Sequence, residues 1–331
     1  MQLIDLHADT LTALYYRSGE KLKDQEFLRE LPVANLAQNN CAIDLAKLRQ
    51  ADSLAQFFVL WLNLNACELH KISPWDLFMK QYQQLRQQID TFSSQISLVS
   101  NVAELLAARA QNKLAGFVCV EEGAFISSLE QLDVAYRLGV RYITLVWNYE
   151  THIGVPSAID QQRGLKPFGF EMVAAMQELG MLVDVSHLSD QGVRDVLQIA
   201  KKPIIASHSN VRALCNHTRN LSDELIRGIA QNGGVIGVNC VPYFLDEQDK
   251  TIRIQRMVEH LEYIYRLAGE DVLAIGNDFD GFGSLTPELD EIKTIADLPL
   301  VADALIHAGF SARQVDKIFN KNALRILTTI N

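Results

Sequence analysis

Eight short apolar runs, each followed by a longer amphipathic stretch, constrain how this chain can fold more than any other feature. They are Leu3–Leu6, Ala55–Trp61, Gly116–Val120, Tyr142–Val146, Met181–Val185, Pro203–Ala206, Gly234–Asn239 and Val272–Ile275. Ile204-Ile205 and Val235-Ile236-Gly237-Val238 lack polar alternation, as expected of strands buried on both faces. The stretches between read as helices: Leu129–Leu138 stops before Gly139, Phe170–Leu179 before Gly180, and Asp190–Ala200 has Ser189 or Asp190 as its N-cap. Repeated β-then-α units imply a parallel sheet. Eight of them predict an α/β protein closed into a (β/α)8 TIM barrel rather than an open doubly wound sheet. A chain of 331 residues can form such a barrel as one domain, so residues 1–331 are expected to be a single unit. The polar sequence from Arg17 to Asp52 exceeds a simple βα loop and predicts an insertion near 17–52 over the barrel mouth.

Charge and cysteine usage narrow the partners. The net charge is −10 and no dense run of Lys or Arg occurs, which removes the electrostatic footprint of a nucleic-acid or anionic-membrane binder and favours a small-molecule substrate. Cys41, Cys67, Cys119, Cys215 and Cys240 are scattered without CxxC spacing and read as reduced packing residues. The N-terminal run Met1-Gln2-Leu3-Ile4-Asp5 meets a charge too soon for a secretory signal. Apolar stretches such as Phe57–Leu62 fall far short of the roughly 20 residues that span a bilayer. A soluble, cytoplasmic protein is expected.

Polar residues at the ends of the apolar runs carry the chemistry, because a barrel builds its active site at the C-terminal ends of its strands. His7 and Asp9 follow the first run, two residues apart and so on one side of an extended segment. Glu121 and Glu122 end the third. Asp184-Val185-Ser186-His187 and Ala206-Ser207-His208 end two successive runs, their histidines 21 residues apart, about one helix plus one strand. Asn277-Asp278-Phe279-Asp280-Gly281 ends the last. Singly, each has an ordinary explanation as a solvated loop, a cap or an Asx turn. Together, His7, Asp9, Glu121, His187, His208 and Asp278 offer nitrogen and oxygen donors without a thiolate, which suits Zn²⁺ and also Mn²⁺, Co²⁺ or Fe²⁺. Six are too many for one tetrahedral ion. Two ions about 3.5–4 Å apart, bridged by a carboxylate and a hydroxide, would use five and leave one carboxylate to move protons.

These residues sit in a sequence that resembles the renal or membrane dipeptidases, peptidase family M19. The resemblance spans nearly the whole chain: His7-Ala8-Asp9, Val120-Glu121-Glu122-Gly123, the run from Tyr136 to Asn148, Asp184-Val185-Ser186-His187, Ser207-His208-Ser209, Cys215-Asn216-His217-Thr218-Arg219-Asn220 and Gly276-Asn277-Asp278-Phe279-Asp280-Gly281. It implies a (β/α)8 barrel of the metal-dependent amidohydrolase type with two divalent ions, zinc by expectation. His7 and Asp9 would bind one ion, His187 and His208 the other, and Glu121 rather than Glu122 would bridge them. Asp278 would handle protons as general base and then general acid, and Arg219 would hold the carboxylate of a dipeptide substrate. The resemblance also suggests a homodimer and tolerance of a C-terminal D-residue. Membrane-bound relatives carry a histidine after the fourth strand to contact the substrate carbonyl; here Trp147 stands in that place, with His152 five residues on. Those relatives also carry a lipid-anchor signal, whereas Thr328-Thr329-Ile330-Asn331 is not an apolar tail, so a soluble bacterial-type member is expected. The alternatives are an amidohydrolase-type N-acyl-amino-acid deacylase or lactonase on the same metal centre, and a non-catalytic barrel, which should have lost ligands.

Overall fold

The computed structural model of the chain describes residues 2–17 and 35–330. Its strands are β1 (Leu3–Ala8), β2 (Ser53–Trp61), β3 (Ile96–Leu98), β4 (Leu114–Glu121), β5 (Val140–Thr144), β6 (Leu182–Asp184), β7 (Ile205–Ala206), β8 (Val235–Val238) and β9 (Leu273–Ile275). Every named pairing is parallel, and the order β1-β2-β4-β5-β6-β7-β8-β9 closes on itself where Asp5 pairs with Ile275. This eight-stranded ring, with helices between its strands, is the (β/α)8 barrel that the alternating pattern predicts. The short β3 lies outside it, pairing with Leu114–Gly116 at the start of β4 before β5 takes over at Val118. Several strands are shorter than the apolar runs suggest. Pro203–Ala206 contributes only Ile205–Ala206, since Pro203 has no N–H to give a ladder and the Ile204 N–H goes to Asn232 Oδ1 (2.8 Å).

All eight ring strands feed one interior cluster: Ile4 and Leu6, Phe57 and Val59, Phe117 and Cys119, Tyr142, Leu182, Ile205, Val235 and Ala274. The rings of Phe57, Phe117 and Tyr142 stack at its centre, with centroids 4.6 and 5.8 Å apart. Ala323, Ile326, Leu327 and Ile330, on and just after the helix Asn322–Leu327, join the cluster and plug the end at which the strands begin. Truncating a ring such as Phe117 to Ala would cost about 3–5 kcal/mol. Polar chemistry is thereby confined to the opposite, C-terminal end.

The connections follow the local signals. Ser189 accepts from the Gly192 N–H at 3.0 Å and so caps the helix Asp190–Ile199, and Gly180, at φ +77°, ends the helix Pro167–Leu179 in the left-handed conformation that glycine adopts freely. All five cysteines are buried and unbridged. Of the insertion expected near 17–52, residues 18–34 lie outside the described residues. The part that follows reaches the barrel mouth: the Ala42 N–H donates to Asp280 Oδ1 at 2.8 Å and its carbonyl accepts from the Ile295 N–H.

Candidate metal centre

The strand ends bring His7, Asp9, Glu121, His187, His208 and Asp278 into one cluster, all but Asp278 buried as whole residues. The backbone builds it at the seam of the barrel. The Asp278 N–H donates to the His7 carbonyl (3.1 Å) and the Asp9 N–H to the Phe279 carbonyl (2.9 Å), so the loop after β9 is stitched to the end of β1. Register slips between Asp5 and Ala8, and this irregularity lets Leu6 and His7 both turn inward. His187, Asp278 and Asp280 have φ of +69°, +63° and +68°, which aims side chains that a regular strand would point elsewhere.

Hydrogen bonds fix which nitrogen of each ring faces the centre. The Tyr142 hydroxyl donates to the Leu6 carbonyl (2.9 Å), so toward His7 Nδ1 (3.0 Å) it accepts. The Ser207 hydroxyl donates to Asp184 Oδ2 (2.6 Å) and accepts from His208 Nδ1 (2.8 Å). Asn148 Oδ1 accepts from His187 Nδ1 (3.0 Å). With each Nδ1 carrying its hydrogen outward, all three Nε2 atoms face inward, those of His187 and His208 as lone pairs and that of His7 as one once its second proton is lost. His187 Nε2 and His208 Nε2 meet at 3.1 Å, with Glu121 Oε1 at 3.0 and 3.4 Å from them. His7 Nε2 lies 3.5 Å from Asp9 Oδ2, 3.7 Å from Asp278 Oδ1 and 3.9 Å from Glu121 Oε2. His7 Nε2, Asp9 Oδ1 and Glu121 Oε1 are buried without a hydrogen-bond partner. Ring nitrogens and carboxylate oxygens converging at 3.0–3.9 Å, with three atoms of the cluster buried without a hydrogen-bond partner, form a donor set that fits divalent metal ions.

Burial governs the electrostatics. It holds His187 and His208 well below the usual imidazole range, helped by the charges of Arg219 and His7. Burial also opposes charge on His7, but Asp9, Glu121 and Asp278 outweigh it and raise that ring to about 10. Desolvation lifts Glu121 well above the carboxylate range and Asp278 to about 7, against the pull of His7 and Arg219.

A cavity of about 250 Å³ opens on this cluster, walled on its apolar side by Trp61, Trp147, Val241, Phe244 and Phe282. Glu122 turns away from it and accepts the N–H groups of Ala124 (2.9 Å) and Trp147 (3.1 Å), while Glu121 points in. Arg219 is buried. Its Nη2 donates to the His208 carbonyl (3.2 Å), its guanidinium lies 5.5 Å from the Phe244 ring centroid, and its Nε is unpartnered. Asp223, four residues on, accepts from the Tyr263 hydroxyl at 3.1 Å. His152 does not reach the cavity lining; it contacts the Ile126 carbonyl (2.8 Å) and packs on Phe168. Asp280 lines the cavity but is tied to the Thr10 hydroxyl (2.6 Å) and the Ala42 N–H. Sequence reasoning assigned no role to Tyr142, Asn148, Asp184 and Ser207, which orient the histidines. Asp184 and Ser207 lie inside the recognised strand-end motifs, which was the available signal.

A closed parallel barrel with a histidine–carboxylate cluster at the C-terminal ends of its strands defines a metal-dependent hydrolase of the amidohydrolase type. The chain belongs to the membrane dipeptidase family, peptidase family M19, whose family model matches residues 1–331. A Klebsiella pneumoniae protein described as an uncharacterized protein in the pqqA 5′ region is 32% identical over 267 residues, 78% of this chain and 97% of that protein. Dipeptidase tcpJ of Claviceps purpurea (strain 20.1) is 28% identical over 298 residues, 87% of this chain and 69% of that protein. Among solved structures, a metallopeptidase from Rhodobacter sphaeroides liganded with a phosphinate mimic of the dipeptide L-Ala-D-Ala matches with a TM-score of 0.84 at 20% identity, covering 100% of this chain and 99% of that one. This last likeness speaks for the fold. Among the described residues, no helix is long and apolar enough to cross a membrane.

Proposed function

We propose that this chain hydrolyses the peptide bond of dipeptides, including those with a C-terminal D-residue, with two divalent ions, zinc by preference. The observation that carries the reading is the 3.1 Å approach of His187 Nε2 and His208 Nε2 beside Glu121 Oε1, with both Nδ1 atoms engaged elsewhere. His187, His208 and one oxygen of Glu121 would hold one ion; His7, Asp9 and the other oxygen would hold the second. Bound there, the ions would acidify a water and polarise the scissile carbonyl. Asp278, held near neutrality by burial, takes the proton of the attacking water and returns it to the departing amine. Arg219, buried and with its Nε unpartnered, receives the substrate carboxylate. A carboxylate one residue beyond the scissile bond makes the substrate a dipeptide. Trp61, Trp147, Phe244 and Phe282 keep water from the reacting groups. A single-domain cytoplasmic homodimer completes the reading, the homodimer on the strength of the family resemblance and the rest on the sequence.

Elemental analysis of purified protein, combined with kinetics on L-L dipeptides, L-D dipeptides and N-acyl amino acids, tests the proposal. About two ions per chain and preferential turnover of free dipeptides are expected. Full activity with one ion would refute the binuclear centre. Faster turnover of N-acyl amino acids would make the chain a deacylase.

A further inference from the structure

The histidines of the two half-sites are not held independently. Ser207 follows directly on β7, and its hydroxyl, committed as a donor to Asp184 Oδ2 (2.6 Å), presents its lone pairs to His208 Nδ1 at 2.8 Å and to His7 Nδ1 at 3.2 Å. Asp184 is itself immobilised. Its Oδ1 accepts the N–H groups of Ser186 (3.1 Å) and Ser207 (2.8 Å), and its Oδ2 also accepts from the Thr144 hydroxyl (2.6 Å). The Ser207 carbonyl packs closely on the backbones of Gly237 and Gly276, an approach that a Cβ at either position would block. Ser207 thus links β6 to ligands borne by β1 and by the loop after β7. For His208 it is the Nδ1 partner found among the described residues, whereas His7 also has Tyr142.

We infer that Ser207 is a positioning residue common to both ions of the proposed centre: one hydroxyl, anchored on Asp184, aims His208 at one ion and, together with Tyr142, His7 at the other. The inference rests on the two-ion reading above. An imidazole that donates its outer N–H to a carboxylate-anchored acceptor is fixed in angle and made more basic, and loss of such a partner typically lowers metal affinity 10- to 100-fold. Ser207 therefore couples the affinities of two ions that share no histidine.

The test uses one-site backgrounds of the full chain, with zinc affinity read by competition against a chelating dye and apoprotein melting as a control for folding. Asp9→Ala leaves the His187–His208 ion, and His187→Ala leaves the His7–Asp9 ion. The wild-type chain should bind two zinc ions and each background one; a wild-type chain that binds fewer defeats the two-ion reading itself, before any Ser207 variant is made. Adding Ser207→Ala should lower affinity about 10- to 100-fold in the Asp9→Ala background and by a smaller but measurable factor in the other. Tyr142→Phe should lower it in the His187→Ala background alone. Ser207→Thr, which keeps the hydroxyl, should restore both; if the alanine variant does not fold, Ser207→Val, isosteric with the threonine variant but without the hydroxyl, replaces it as the probe. A loss confined to the Asp9→Ala background would show a hydroxyl serving one ion and overturn the shared role. Unchanged affinity in both would overturn positioning altogether.

Discussion

Asp278 lines the cavity and Arg219 lies buried within its electrostatic reach with opposite charge, and turnover should depend on them in different ways. On the proposed reading, Asp278→Asn keeps shape but removes the proton acceptor, so kcat should fall about 100-fold or more with metal content unchanged. Steady-state kinetics with elemental analysis would check this. Near-normal turnover would shift the role to Asp280, which is otherwise engaged with Thr10 and Ala42. If Arg219 holds the substrate carboxylate as proposed, Arg219→Ala removes a charge-assisted contact of about 1.5–3 kcal/mol, so kcat/KM should drop about 10- to 150-fold. The variant should also lose the preference for a free carboxylate over an amide, measured by comparing dipeptides with dipeptide amides. Equal loss on both substrates would assign Arg219 to the architecture instead. The cluster residues His7, Asp9, Glu121, His187, His208 and Asp278 were legible because each ends an apolar run. The orienting pairs Tyr142–His7, Ser207–His7 and Asn148–His187 were not, because each joins residues far apart in sequence: Ser207 meets His7 across 200 residues and Asn148 meets His187 across 39. No local pattern reports such pairs.

Elements depend on buried polar contacts as much as on apolar ones. His260, within the helix Ile254–Ala268, accepts the Val211 N–H at Nδ1 (3.1 Å) and donates through Nε2 to the Leu245 carbonyl (3.0 Å), joining that helix to the loop after β7 and to the short helix Pro242–Leu245 after β8. Burial depresses its pKa to about 4. The unfolded chain therefore takes up a proton near pH 6.5 that the folded chain refuses until about pH 4. Stability present above pH 6.5 is lost as the pH falls through this window, by about 3 kcal/mol. His260→Gln can make similar contacts without titrating, so the stability gap between wild type and variant should narrow by about that amount from pH 7 to pH 4, as measured by denaturant unfolding. A constant gap would show that His260 takes up its proton as readily in the fold as in the unfolded chain. The helices and ring strands were legible from their periodicity and caps, with Ser189 and Gly180 acting as expected. β3 was not: Ile96-Ser97-Leu98 is too short to show a period, and only its pairing with β4 makes it a strand.

The molecule as a whole should register the arrival of metal. Asp9, Glu121 and Asp278 keep His7 protonated to about 10 in the metal-free chain, so an ion must displace at least one proton to bind. Loading near neutral pH should release protons, and affinity should rise with pH. Titration calorimetry in buffers of different ionisation enthalpy would measure the release, and buffer-independent heats would refute it. Because the folded site binds ions that the unfolded chain holds weakly, chelation should also lower the melting temperature. The left-handed backbone at His187, Asp278 and Asp280 bears on how the molecule would respond to laboratory selection. Glycine adopts that conformation freely, and other residues bear a strain of about 1 kcal/mol there. A library selected only for survival on heating should gather glycines at these positions and lose its chemistry, whereas one selected for turnover should keep the strained residues and find its stability elsewhere in the barrel.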